Sequence, residues 1–269
     1  MKTVNIGIVA HVDAGKTTLT EQLLYCSGQT RTVGSVDDGT SQSDFLKVEQ
    51  RRGISVRTSV VSLQYGDVRI NVIDTPGHAD FAADVERSLA VLDVAVVMIS
   101  AVEGIQPQTE LLIEALMRTN TRMIFVINKV DRAGSRIQKI IDEIRERFSL
   151  RTICLTDVKQ EGERDCILTD RTLKSDDFFT EATELLCETS DELMERYLSG
   201  EEISKEEIHR LMTAAFSSGE LVPVLCMAAL HGKGIASLLS LLAACDFSYK
   251  NRQDDTLSGI VYQVTHDKA

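Results

Sequence analysis

Short aliphatic runs, each followed by an amphipathic stretch, constrain this chain more than any other feature of its sequence. The pairs fall at residues 4–10 and 17–26, 68–74 and 81–92, 94–100 and 109–117, and 123–128 and 137–148. Brief apolar runs bounded by turns suit strands covered on both faces, and the stretches between them carry a helical period. The pattern predicts an α/β fold with a mostly parallel sheet. No apolar run approaches the roughly 20 residues that a membrane-spanning helix needs. Helix starts are marked by Ser135 with Gln138 and by Ser204 with Glu207, the spacing at which two side chains satisfy each other's free backbone donors.

The alternation breaks between residues 151 and 221. Two short polar β-like pieces surround Cys154 and Cys166, and acidic helical segments follow from 178 to 219. The α/β pattern resumes with a strand at 222–226 and a helix at 234–245, so 151–221 reads as an insertion into a domain built from 1–150 and 222–247. A polar stretch then precedes a new alternating strand at 257–264. A single strand is not stable alone, so 248–269 is expected to be a linker and the first strand of a further, β-barrel domain of a longer protein.

Lysine and arginine total 29 against 41 aspartates and glutamates, a net charge of −12. That balance argues against a coat for DNA or RNA, which needs a basic surface to neutralise phosphates. The six cysteines stand singly, without C-x-x-C or Cys/His spacing for zinc, and read as reduced, mostly buried thiols. With no leader pattern at the start, a cytoplasmic location is expected.

Three motifs carry chemistry. The first run ends in Ala10-His11-Val12-Asp13-Ala14-Gly15-Lys16-Thr17-Thr18, which matches the phosphate-binding loop G-x-x-x-x-G-K-[ST] except that Ala10 replaces its first glycine. Successive backbone N–H groups and a helix amino terminus there face phosphates, Lys16 reaches the β and γ groups, and the Thr17 hydroxyl ligates Mg²⁺. Asp74-Thr75-Pro76-Gly77-His78 closes the second run. Asp74 is placed to hold Mg²⁺ through water, and the Gly77 N–H to sense a γ-phosphate, since no side chain blocks its approach. Asn128-Lys129-Val130-Asp131 closes another run. The Asp131 carboxylate can accept both N1–H and the exocyclic amine of guanine, whereas the bare N1 of adenine would leave a buried acid unpaired. Asn128 would brace the loop and the Lys129 stem would cover one face of the base.

This ordered set, with Arg51-Arg52-Gly53-Ile54-Ser55 and Cys226-Met227-Ala228-Ala229-Leu230, resembles the GTPase domain of translation factors in the branch containing elongation factor G. The segment Gly34-Ser35-Val36-Asp37-Asp38-Gly39-Thr40 with Asp44, and the compact insert, look most like the tetracycline-resistance ribosomal protection proteins. The fold implied is a P-loop GTPase domain with a small inserted α+β subdomain and the start of a β-barrel domain.

The resemblance also implies roles. Ser55 stands where the family has a Mg²⁺-binding threonine, and His78 where it orients the attacking water. Val12 and Ile54 match an apolar pair that holds that histidine back, and Asp13 a P-loop acid. The guanine loop usually reads S-A-x; here Ala228 replaces the serine, while Ala229 keeps the backbone donor beside Leu230. Expected cofactors are GTP or GDP and Mg²⁺. The expected partner is the ribosome, with no membrane or DNA, and the isolated domain is expected to be a monomer. Other readings are a translocation or termination factor with the same core, a guanine-nucleotide-binding module without useful turnover, and a P-loop ATPase, against which Asp131 argues. His11, His209, His231 and His266 lack ligand spacing and read as solvent or core residues, and the acidic run from Glu181 to Glu207 as a solvated surface.

Overall fold

A computed structural model describes residues 2–34, 59–74, 89 and 91–247. In chain order the elements are β1 (Lys2–Ala10), α1 (Lys16–Cys26), β2 (Ser59–Tyr65), β3 (Val68–Asp74), β4 (Val94–Ser100), α2 (Pro107–Arg118), β5 (Arg122–Asn128) and α3 (Ile137–Phe148). They continue with β6 (Thr152–Cys154), β7 (Thr156–Lys159), β8 (Ile167–Asp170), α4 (Asp176–Cys187), α5 (Asp191–Leu198), α6 (Lys205–Ser218), β9 (Val222–Cys226) and α7 (Ile235–Ala244). The main sheet has the order β2-β3-β1-β4-β5-β9-β6, and β7 and β8 form a separate hairpin. Every neighbouring pair in the main sheet is parallel except β2 with β3.

The continuous apolar runs have the physical cause that the sequence suggests. Along β4, Val94, Val96 and Met98 enter one core layer and Ala95, Val97 and Ile99 the other, so the strand is buried on both faces. One layer adds Leu19 and Leu23 of α1 and Leu238 and Leu242 of α7. The opposite layer adds Ile113 of α2 and Ile140, Ile141 and Ile144 of α3.

β2 has no counterpart among the aliphatic runs. Its sequence alternates, with Leu63 buried between exposed Ser62 and Gln64, because it is an edge strand with one solvated face. Ser62 donates to Asn71 at 2.7 Å and Asn71 to Asn5 at 2.8 Å, a polar row across three paired strands.

In the 151–221 region, β6 hydrogen-bonds to β9 as an edge of the main sheet, and Phe178, Ile208 and Phe216 join the same core layer as Ile153 and Leu225. Arg171 ties the hairpin to α4. Its guanidinium lies 4.5 Å from the Phe178 ring centroid, donates to the Cys154 carbonyl at 3.1 Å and pairs with Glu181 at 2.8 Å.

One expected cap is replaced. Ser135 donates instead to Glu161 Oε1 at 2.7 Å, and the same oxygen accepts the free Ile137 N–H of α3 at 2.9 Å. Gln138 turns forward to Asp142 at 2.9 Å. A carboxylate from the β7–β8 connection outcompetes the local serine because an ionised acceptor binds an orphan helix N–H more strongly than a hydroxyl does. Ser204 does cap α6 through the Glu207 N–H at 3.1 Å, but the Glu207 carboxylate pairs with Arg196 through two hydrogen bonds rather than returning to Ser204. All six thiols are free, yet Cys26 is exposed and Cys154 half-buried, so only the other four follow the expectation of burial. Residues 248–269 lie outside the described residues.

Candidate functional site

The strands β1, β3, β4, β5 and β9 run parallel, so their carboxyl ends share one edge of the sheet. From β1 the chain builds β3 on one side and β4 on the other, which puts the loop after β1 at the crevice where such sheets take ligands. Residues 11–15 form that loop and α1 begins at Lys16. Lys16 is buried, Thr17 and Thr18 are half-buried, and Asp13 is exposed. The first turn of α1 carries no acidic side chain, so nothing there competes with an incoming anion for the positive end of the helix.

Asp13 and Lys129, two of the five described residues other than glycine with a left-handed backbone, each have φ of 64° and lie in loops at this edge. Such strain is retained where surrounding contacts over-determine it, and it gathers at ligand sites. Gly15 has φ of 103°, and a Cβ there would lie 2.4 Å from Asn128 Nδ2.

That amide cannot retreat, because Asn128 is the keystone of the edge. Its Nδ2 donates to the Ala14 carbonyl at 2.8 Å, and its Oδ1 accepts from the Ala229 N–H at 3.0 Å. One side chain at the end of β5 therefore joins the loop after β1 to the loop after β9. The backbone adds Val130 N–H to the Met227 carbonyl at 3.2 Å and Met227 N–H to the Ile127 carbonyl at 2.8 Å.

The loop after β9 is closed although Ala228 brings no hydroxyl. Ala228 and Lys233 exchange two backbone hydrogen bonds of 3.2 Å, and Lys233 Nζ donates to the carbonyls of Arg164 and Cys166 at 3.0 and 2.8 Å. Ala228 and Ala229 are buried and Leu230 points outward. The Asp131 side chain is 9% exposed and lies 3.4 Å from His231 Nε2.

A second bridge was not legible in the motifs. Glu103, in the turn after β4, accepts from His11 Nε2 at 3.1 Å and faces Lys129 Nζ at 3.6 Å, while His11 Nδ1 meets Thr109 Oγ1 at 3.2 Å. Burial alone would push the Glu103 carboxyl up, but hydrogen bonds from His11 and Ser100 and the Lys129 charge together outweigh it and hold it below the usual carboxylate range. His11 and His231, read from sequence as solvent or core residues, both belong to this edge. Only the position of His11 inside the phosphate-loop motif could have marked it.

Asp13, Ala14, Gly15, Lys16, Thr17, Thr18, Asn128, Lys129, Asp131, Ala228, Ala229 and Leu230 are thus gathered at one edge. Asp74 ends β3 at the same edge, in register with Ile8. Ser55, Gly77 and His78, with Ile54, lie outside the described residues. Thr17 and Asp74 offer only oxygen donors, the chemistry Mg²⁺ prefers. Among the described residues no group of three or more His, Cys, Asp or Glu gathers that could hold a metal ion.

Comparison with known proteins gives a consistent picture. The profile of the family described as "Elongation factor Tu GTP binding domain" matches residues 1–246. The tetracycline resistance protein TetP of Clostridium perfringens is 41% identical over 266 residues, covering 98% of this chain and 40% of TetP. TetW of Butyrivibrio fibrisolvens is 40% identical over 99% of this chain and 40% of its own length. TetM of Ureaplasma urealyticum is 38% identical over 100% of this chain and 41% of its own. The chain thus spans about two fifths of the length of these relatives. A crystallised protein of Thermus thermophilus superposes with a TM-score of 0.79 at 26% identity, over 90% of this chain and 40% of that one.

Proposed function

Because this chain belongs to the family of the elongation factor Tu GTP-binding domain, we propose that it is the GTP-hydrolysing switch of a ribosome-associated translation factor. Its full-length protein would release tetracycline from the ribosome, a reading drawn from relatives named as tetracycline resistance proteins. The observation that carries the GTP reading is the Asn128 side chain, which joins the loop after β1 to the loop after β9 at one sheet edge.

Each residue then has a task. Lys16 and the N–H groups at the start of α1 bind the β- and γ-phosphates and balance the charge that develops on them in the transition state. Gly77 contacts the γ-phosphate, and His78 orients the attacking water. Asp131 reads guanine, Lys129 covers one face of the base, and the Ala229 N–H serves the base oxygen within the Ala228–Leu230 loop. Thr17, Ser55 and Asp74 would hold Mg²⁺, which when bound supplies neutralisation of the phosphates. Because phosphoryl transfer depends on positioning, turnover is slow until a partner orders the catalytic loops.

The proposed organisation is a GTPase domain of residues 1–150 and 222–247, an inserted subdomain of 151–221, and a linker with the first strand of a second domain at 248–269. The isolated domain acts as a cytoplasmic monomer without DNA or membrane as partner. No described helix is long and apolar enough to cross a membrane.

The test is phosphate release from GTP by the full-length protein, with and without ribosomes, comparing wild type with His78→Ala at matched nucleotide occupancy. Strong ribosome stimulation that disappears in the variant is expected. Nucleotide binding without stimulation would instead make this a binding module.

A further inference from the structure

Asp131 has an exacting task in that reading, and its own geometry does not secure it. Two parallel hydrogen bonds from a base require the carboxylate plane to align with the base plane. Rotation about the terminal torsion of an aspartate is broad and roughly two-fold, so the plane drifts unless something holds it. Near-complete burial of an ionised carboxylate also demands a donor or a counter-charge.

Among the described residues, His231 is the one cationic or potentially cationic side chain within ion-pair distance of Asp131, its Nε2 lying 3.4 Å from Oδ2. Lys233, close in sequence, spends its ammonium group on the carbonyls of Arg164 and Cys166. The backbone that carries the His231 ring is fixed. His231 ends the short 3₁₀ turn Ala229–His231, its backbone N–H donates to the Ala228 carbonyl at 2.9 Å, and the chain reverses at Gly232, where φ is 68°. The same turn carries Ala229, whose N–H is fixed by Asn128. A carboxylate oxygen has two acceptor sites, so the His231 ring, 3.4 Å from Oδ2, leaves room for the donors of a base.

We propose that His231 is a positioning residue for guanine recognition: it holds the Asp131 carboxylate in the orientation that accepts N1–H and the exocyclic amine together. Pre-alignment lowers the ordering cost of binding, and the gain is largest for a base that uses both oxygens. Guanine does so; hypoxanthine, which lacks the amine, presents N1–H alone. His231 therefore sets the preference for guanine over hypoxanthine as well as the affinity. The inference rests on the reading of Asp131 as the base-reading carboxylate.

Calorimetric affinities for GDP, inosine diphosphate and xanthosine diphosphate test it, measured on the full-length protein and its variants after thermal melting has shown each to be folded. His231→Leu removes that polar contact and is expected to weaken GDP roughly three- to tenfold, the worth of one polar contact to a carboxylate, while inosine diphosphate changes by a smaller factor. His231→Gln keeps an N–H at the position of Nε2 and is expected to preserve the wild-type ratio. Equal weakening of the two nucleotides by His231→Leu, no change in either, or a Gln variant that behaves like Leu would each overturn the proposal. Asp131→Asn separates it from its premise. That amide should disfavour GDP and favour xanthosine diphosphate, whose C2 oxygen accepts an N–H. If the base preference does not move in Asp131→Asn, the reading of Asp131 fails and takes this inference with it. If it moves there but the ratio does not in His231→Leu, only the role of His231 falls.

Discussion

At the scale of single residues, the candidate site is organised by two polar side chains that each serve two loops. Asn128 uses both ends of its amide, toward Ala14 and Ala229, and Glu103 meets His11 and Lys129 through the same carboxylate oxygen. The second bridge has a pH signature. The folded state holds the Glu103 carboxyl below its ordinary value of 4.5, with burial opposing and His11, Ser100 and Lys129 together prevailing. A depressed carboxyl contributes stability that is fully present above the ordinary value and is lost as pH falls through the folded-state value. Glu103→Gln is therefore expected to unfold at lower denaturant than wild type at pH 7, with the gap closing as the pH drops below about 4.5. Urea titrations at pH 7, 5 and 3.5 measure it; a gap independent of pH would assign the loss to packing instead. Because the Glu103 side chain is 43% exposed, solvent screening keeps the effect small.

At the scale of elements, helix starts show where local pattern suffices and where it does not. α6 takes its expected cap from Ser204, although Glu207, committed to Arg196, does not complete the reciprocal half of the box. α3 does not, because Glu161 reaches its first N–H from the β7–β8 connection. Ser204→Ala is expected to lower unfolding free energy by about 1 kcal/mol. Ser135→Ala should cost less than Glu161→Ala, since the serine only steadies the carboxylate that does the capping. Chemical denaturation of the three variants gives the order, and a Ser135→Ala loss equal to or above that of Glu161→Ala would contradict it. Strand β2 makes the same point for sheets: its alternating sequence becomes a half-buried edge only because β3 supplies an antiparallel partner.

At the scale of the whole molecule, the two core layers determine which thiols meet solvent. Cys166, Cys187, Cys226 and Cys245 are buried and Cys26 is exposed, and burial pushes the Cys245 thiol up to about 11. The thiolate is the reacting form; burial raises the Cys26 thiol while a hydrogen bond with Cys226 lowers that of Cys154, but a reagent must first reach the sulfur, so a disulfide reagent at pH 8 is expected to label exposed Cys26 first and half-buried Cys154 more slowly. The remaining four should react only on unfolding, as peptide mapping of a labelling time course would show. Early labelling of Cys226 or Cys245 would mean that the layers open without global unfolding. The sequence by itself determined the doubly covered strands, the described helices that follow them and the motif-bearing loops at their carboxyl ends, because each depends on the period, length and chemistry of neighbouring positions, while the helix expected at 81–92 lies largely outside the described residues. Gly15, Asn128 and Asp131 were legible for that reason. Only the tertiary structure decided that Glu161 caps α3, that Glu103 joins His11 to Lys129 and that His231 faces Asp131. Those partners lie 24, 92 and 100 residues apart, and what brings them together is the strand order and register of the sheet, which no local stretch of sequence encodes.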